Sequence, residues 1–333
     1  MTIDSRDAGS GDLFFGLPGV NHDGGAFAAE VLSERAWGVV VTQSRFETAA
    51  AAAQPGQVVL GVDDPVTALG ALANRWRREL TVQVIGVTGS TGKTSTKDIL
   101  AALIGKSRNV VATPANLNTE IGLPLTVLDA PTGTEALVLE MAMRGSGQIA
   151  ELARIAGPDV GCIVNIGPVH LEQLGTVEAV AAAKAELLLE LPSGATAVVP
   201  ADEPLLTPFL RDDLRVVRFG AGGDVCLTEN RAGETEAIAG DPLRIATPLG
   251  EVTIKPSFIE GYLVRNLLAA VACAQAIGAP AGGELNVRFS ALRGELLELL
   301  GGVTVINDCY NANPVSMRAA LRNLAGARGR KFA

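Results

Sequence analysis

One junction near residue 90 limits what this chain can fold into more than any other feature. Thr81-Val-Gln-Val-Ile-Gly-Val87 is an apolar, β-branched run of the kind that fills a strand buried in a parallel sheet. It leads into Gly89-Ser-Thr-Gly-Lys-Thr94, and a helical pattern follows from about Ser95 to Leu103. Strand, glycine-rich turn, Lys-Thr and helix make the arrangement of a phosphate-binding loop. Glycines let backbone N–H groups approach phosphate oxygens, and the helix N-terminus adds positive potential. In such a loop Lys93 reaches the β- and γ-phosphates and the Thr94 hydroxyl binds Mg²⁺. The longer spelling, G-x4-G-K-[ST], is not met: its first glycine would fall at Val87, and Gly86 comes one place early. The shorter turn takes its weight from the strand before it and the helix after it; an ordinary strand–helix turn is the alternative.

The rest of the chain fits that start. Further strands are expected at Glu135–Glu140, Val160–Asn165, Thr196–Val199 and Val303–Asn307, with helical patterns at Gly147–Ile155 and Val177–Leu191 between the first three. Alternating strands and helices predict an α/β fold with a doubly wound, mostly parallel sheet. Residues 220–255 are rich in Gly and Thr and read as a β insertion, followed by a helix around Asn266–Ala276. Ahead of the phosphate loop, residues 1–79 form a smaller α/β unit. Its strands are expected at Trp37–Val41 and Val58–Gly61, and its helix at Ala68–Arg78, where Leu69, Leu72 and Trp76 recur at helical spacing.

Composition removes other classes. The chain of 333 residues is 48% hydrophobic and only 4% aromatic, a mixture in which small residues let helices lie close to a sheet. Its net charge of −9 argues against a nucleic-acid partner, which needs a basic surface. Cys162, Cys226, Cys273 and Cys309 form no CxxC pair and read as reduced, buried thiols of a cytoplasmic protein. Met1–Arg6 has no apolar signal core, and the longest apolar run, Leu267–Ala274, is too short to span a bilayer.

Three more residues stand where open α/β sheets place ligands, beyond strand ends. Glu140 ends an apolar strand, His170 follows Ile163–Ile166, and Lys184 lies on the Ala-rich run Ala181-Ala-Ala-Lys-Ala-Glu-Leu187. Singly, Glu140 could cap the next helix, His170 could be a satisfied loop histidine, and Lys184 could reach out to water. After a phosphate loop, together, they suggest ligands around Mg²⁺ near a γ-phosphate.

These pieces carry a family likeness. Gly89–Lys97, Asn116-Leu-Asn118 with Ile121-Gly-Leu-Pro124, Leu139-Glu-Met141, Asn165–Glu172 and Ala183-Lys-Ala-Glu186 resemble the Mur ligases, the ATP-dependent amide ligases of peptidoglycan precursor synthesis. Asp308-Cys-Tyr-Asn-Ala-Asn-Pro-Val-Ser-Met317 is similar to the branch that adds D-alanyl-D-alanine to UDP-MurNAc-tripeptide. Asp4-Ser-Arg6, Gly11–Phe14 and His22-Asp-Gly24 resemble the UDP-sugar-binding domain of that branch.

The resemblance implies a mechanism and a set of roles. The tripeptide carboxylate attacks the γ-phosphate of ATP to give an acyl phosphate, and the amine of D-Ala-D-Ala then displaces phosphate. Gly89, Ser90, Thr91, Gly92, Lys93, Thr94 and Ser95 would hold the ATP phosphates. Asn266, Arg293, Asp308, Asn311 and Asn313 would hold adenine and ribose. Thr94, Glu140, His170 and a Lys184 carbamylated by CO₂ would serve Mg²⁺; Lys93 would stabilise phosphate charge. Ser5, Arg6, His22, Asp23, Asn116, Asn118 and Thr119 would face the UDP-sugar substrate.

Residues 1–79 would then be a substrate domain incomplete at its start, residues 80–328 the ATP-binding domain, and 329–333 the opening of a further Rossmann-like domain, so that the chain reads as a fragment. The protein is expected to be a cytoplasmic monomer. Two spellings differ from the family's usual ones: Glu260-Gly-Tyr262 stands for Gly-x-His, and Asn118-Thr119 for Asn-Asn. The rivals are another Mur-type or folylpolyglutamate-type ligase, and a non-catalytic nucleotide-binding protein.

Overall fold

The computed structural model describes residues 1–228, 242–258, 262–291, 295–312, 314–326 and 329–333. The first unit holds β1 (Leu13–Phe15), α1 (Ala28–Ser33), β2 (Gly38–Thr42), α2 (Gln43–Ala52), β3 (Val58–Val62) and α3 (Pro65–Glu79). Its three strands form a parallel sheet in the order β1-β2-β3. Phe14, Val39 and Val41 pack under α1 and α2 on one face of it.

α3 starts cleanly because Asp64 caps it, accepting from the amides of Val66 and Thr67, with Pro65 in the first turn. Its apolar stripe serves two neighbours. Leu69 packs with Leu13, Phe15 and Val40, whereas Ala73 and Trp76 join the core of the following unit. Trp76 donates to the Ala130 carbonyl at 3.0 Å and Asn74 to the Arg154 carbonyl at 2.8 Å. The helix thus fastens the small sheet to the larger one.

The second unit comprises β4 (Gln83–Thr88), α4 (Lys93–Ile104), β5 (Val110–Ala112), α5 (Gly122–Leu128), β6 (Ala136–Glu140), α6 (Gln148–Ala156), β7 (Val160–Ile163), α7 (Leu171–Leu174), α8 (Val177–Leu189), β8 (Thr196–Pro200) and β9 (Arg215–Phe219). The six strands are parallel, in the order β5-β6-β4-β7-β8-β9. β4, carrying the phosphate loop, lies between β6 and β7, and Val84, Ile85 and Val87 are fully buried. The sheet order reverses on either side of β4, which opens a crevice beyond the strand ends.

β10 (Cys226–Leu227), β11 (Leu243–Ala246) and β12 (Val252–Pro256) form the β insertion; α9 (Tyr262–Ala276) and β13 (Gly283–Leu285) follow, and β13 joins the same sheet. α9 lies against α4, with Leu267, Leu268 and Val271 in the principal core.

Two sequence expectations change. Val303–Asn307 does not enter the central sheet: as β15 it pairs antiparallel with β14 (Glu295–Leu299), ahead of α10 (Pro314–Gly326). An apolar run reveals that a strand exists but not which neighbour it pairs with. Second, the cysteines are all free, but only Cys162 and Cys273 are buried: Cys226 is half-buried, and Cys309 is exposed because the segment after β15 runs along the surface; its thiol contacts Asn307 Oδ1 at 3.1 Å. No described helix is long and apolar enough to cross a membrane.

Candidate active site

The site is built at the end of β4. The chain leaves the strand at Thr88 and enters α4 through Gly92, whose φ of 75° is left-handed. Only glycine adopts it without strain, and a Cβ there would come 2.7 Å from Asn266 Oδ1. No side chain caps α4, so its leading amides and the positive end of its dipole face the crevice.

A neighbouring turn holds the loop in shape. Asn165, just past β7, accepts from the Thr91 amide at 2.9 Å and donates to the Thr91 carbonyl at 3.1 Å and hydroxyl at 2.9 Å. Ser90 Oγ donates to the Gly167 carbonyl at 3.1 Å and accepts from the Gly167 amide at 2.9 Å. Lys93 folds back onto the loop, its Nζ donating to the Gly89 carbonyl at 2.9 Å. Ser95 lies half-buried in the first turn of α4.

Thr94 and Glu140 meet although they lie on different strand–helix units. Thr94 Oγ1 donates to Glu140 Oε2 at 2.9 Å, and both residues are buried. The other carboxylate oxygen accepts from Asn118 Nδ2 at 2.9 Å. Glu140 therefore caps no helix. A hydroxyl and a carboxylate at the mouth of a phosphate loop are the hard oxygen donors that Mg²⁺ takes, so these residues fit that ion; among the described residues no cluster of three or more His, Cys, Asp or Glu accompanies them.

The second group is made of basic side chains. Lys184, on α8, is only 2% exposed, so it does not reach out to water. Burial, then the charge of Lys93, lowers its pKa from 10.5 to about 7. A buried amine near neutrality exists partly as the free base, the form that reacts with CO₂. His170 stands on the rim at a left-handed φ of 54°, a region that non-glycine residues enter infrequently, histidine more often than most. Shielding of its ring lowers its pKa below 6.5, and Lys184, Lys93 and Arg144 lower it further. Glu186, two residues further along α8 and half-buried, accepts from the amides of Gly147 at 2.6 Å and Ala150 at 3.1 Å. It thereby ties α8 to the start of α6.

The remaining sequence candidates are spread more widely. Asn266 is buried against Gly92 of the loop. Thr119 offers its carbonyl to the Leu123 amide at 2.9 Å, and Asn116 its carbonyl to the Asn118 amide at 2.8 Å. Asp23 is occupied twice, by the Gly25 amide at 2.9 Å and Arg45 Nε at 2.7 Å. Arg6 pairs with Asp4, Ser5 is half-buried and His22 exposed. Asp308 and Asn311 are exposed beyond β15. Arg293, Asn313 and the Glu260–Gly261 part of the variant motif lie outside the described residues.

Sequence reasoning passed over Thr113, and quoted Asn165 at the head of a motif without giving it a role. Asn165 lies just after β7, which flanks β4, and Thr113 just after β5, the next strand beyond β6; a polar residue at such a strand end was the available signal.

Residues 87–274 match the Mur ligase middle domain. The chain belongs to the Mur ligase family. Over 97% of its length it is 35% identical to the UDP-N-acetylmuramoyl-tripeptide–D-alanyl-D-alanine ligase of Bacillus subtilis, covering 69% of that protein. It is 30% identical to the Escherichia coli protein of the same name, covering 98% of this chain and 71% of that one. Among solved Mur ligases, MurF from Acinetobacter baumannii superposes with a TM-score of 0.86 at 28% identity, over 99% of this chain and 72% of that one. The Thermotoga maritima MurF ligase in complex with ADP superposes at 0.83 with 30% identity, over 99% and 75%.

Proposed function

We propose that this chain is an ATP-dependent ligase that joins D-alanyl-D-alanine to UDP-N-acetylmuramoyl-tripeptide. The observation that carries this reading is its likeness, along nearly its whole length, to ligases bearing that name. The site's chemistry supports it. A carboxylate is a poor electrophile for an amine, because its negative charge repels attack and oxide is a poor leaving group. Transfer of the γ-phosphoryl group to the tripeptide carboxylate releases ADP and leaves an acyl phosphate. The amine then bonds to the acyl carbon, the C–O bond to phosphate breaks, and the amine's proton passes to solvent or a base.

In this reading the residues of this chain position and neutralise. Lys93 and the start of α4 hold phosphate charge in an orientation suited to in-line attack. Thr94 and Glu140 would hold Mg²⁺, which supplies charge neutralisation at the phosphates when bound. His170 and a carbamate on Lys184 would hold a second ion. The neutral Lys184 amine would add to the carbon of CO₂, one C=O π bond would break and one proton would be lost, so that a neutral group becomes an anion and that corner gains negative charge. Asn116, Asn118 and Thr119, with Ser5, Arg6, His22 and Asp23 of residues 1–79, would face the UDP-sugar. Residues 80–328 would make the ATP-binding domain, with Asn266, Arg293, Asp308, Asn311 and Asn313 toward the nucleoside. The protein would act as a monomer in the cytoplasm.

The test is phosphate release from ATP with UDP-MurNAc-tripeptide, with and without D-Ala-D-Ala, and mass detection of the pentapeptide product. Stimulation by a single amino acid instead of the dipeptide would reject the assignment in favour of another Mur-type ligase.

A further inference from the structure

Lys97 is the second lysine of α4 and has no part in the chemistry above. It lies one helical turn after Lys93, yet it is only 3% exposed. Burying a lysine is unfavourable unless its ammonium is fully partnered. This one is: Nζ donates to the Thr113 carbonyl at 2.8 Å, lies 2.8 Å from Asp98 Oδ1 and donates to Ser290 Oγ at 3.2 Å. Those contacts use all three ammonium hydrogens.

What Lys97 grips leads to the metal-side carboxylate. Thr113, just beyond β5, is itself buried, and its Oγ1 accepts from the Glu140 amide at 2.9 Å. Glu140 in turn receives Thr94 Oγ1 and Asn118 Nδ2 on its two carboxylate oxygens. One path thus runs from Lys97 through the carbonyl and the hydroxyl of Thr113 to the backbone of Glu140, and returns to α4 at Thr94, three residues before Lys97. On the far side, Asp98 accepts from the Ser290 amide at 2.8 Å and anchors the segment after β13.

We propose that Lys97 is a positioning residue, acting through Thr113 to hold the Glu140 carboxylate at the distance from Thr94 that a divalent cation requires. A purely apolar side chain could fill the same volume, at a cost in stability because Asp98 loses its cation. It could not hold the Thr113 carbonyl. Glu140 would keep its charge but lose the brace that aims it. This inference rests on the nucleotide reading of the loop and adds a residue that touches neither nucleotide nor cation.

The experiment is ADP binding by calorimetry, in Mg²⁺ and in EDTA, for the wild-type chain, Lys97→Met and Thr113→Val. The readout is the ratio of the two affinities, with thermal denaturation run alongside. In both variants, ADP affinity in EDTA should stay within about twofold of wild type, because Lys93 and the loop are untouched, while the gain conferred by Mg²⁺ should fall about tenfold. Thr113→Val keeps the shape of the side chain and supplies the answer if Lys97→Met does not fold. A lowered melting temperature with an unchanged Mg²⁺ gain in the variants would overturn the proposal and leave the nucleotide site standing. A wild-type chain that binds no ADP in either condition would overturn the nucleotide reading and this inference with it.

Discussion

Replacing Lys184 with methionine should stabilise the ligand-free protein, most of all at low pH. Lys184→Met keeps an unbranched side chain of similar length and removes the ionisable group from a site that is 2% exposed. The fold lowers the pKa of Lys184 from 10.5 to about 7, and that gap corresponds to ~5 kcal/mol of disfavoured charge. The sign follows from proton counting. Below about pH 7 both folded and unfolded chains carry the charge, and the fold bears the whole penalty. Between about 7 and 10.5 the unfolded chain binds a proton that the fold does not, so stability rises with pH.

The gain from the substitution should therefore be ~4–5 kcal/mol near pH 6 and ~2–3 kcal/mol near pH 8.5. Taking the difference between the two proteins at each pH cancels the titration of the other groups. The assay is urea denaturation of both in bicarbonate-free buffer. Adding bicarbonate should then stabilise the wild type alone, because a carbamate forms only where the neutral amine is held in the fold. A pH-independent gain, or a wild type more stable than the variant near pH 6, would refute the claim that burial depresses Lys184.

Three other outcomes test the site directly. Lys93→Ala should weaken ADP binding by roughly 10- to 100-fold in calorimetry, the worth of a charge-assisted contact to phosphate; equal affinities would remove Lys93 from the site. His170 should titrate below 6.5 by NMR, because shielding and then Lys184, Lys93 and Arg144 disfavour its cation; Lys184→Met should move that titration upward, and no movement would mean the two groups do not sense each other. Gly92→Ala should cost about 1–2 kcal/mol of stability from a left-handed φ and a Cβ driven against Asn266. Urea denaturation would measure that cost, and a neutral result would mean the loop relaxes without difficulty.

Signals that are local in the chain were legible before any fold was known. β4, the glycine-rich turn and α4 form one continuous stretch whose apolar run, turn residues and helical pattern each predict the next element. The parallel sheet followed from strands alternating with helices, since a parallel pair needs a crossover. Elements with weak local signals were not legible. β5 has three residues, and α2 opens with polar residues and continues in alanines that mark no distinct apolar face.

Partnership was decided only by the tertiary structure. Asn165 and Thr91 lie 74 residues apart in sequence, Lys97 and Ser290 lie 193 apart, and no spacing rule joins them. Thr94 and Glu140 each have a meaning as single residues, but their 2.9 Å contact exists because β6 lies beside β4 in the sheet. Val303–Asn307 reads as a strand in any context, and its antiparallel partner Glu295–Leu299 is a choice made by packing. Lys184 shows the same division most plainly. An Ala-rich helix leaves open whether a lysine reaches water or is enclosed, and that depends on which elements close over α8. Local sequence sets backbone conformation through sterics and hydrogen bonds within a few residues, whereas burial and electrostatic environment are properties of neighbours brought together by the fold.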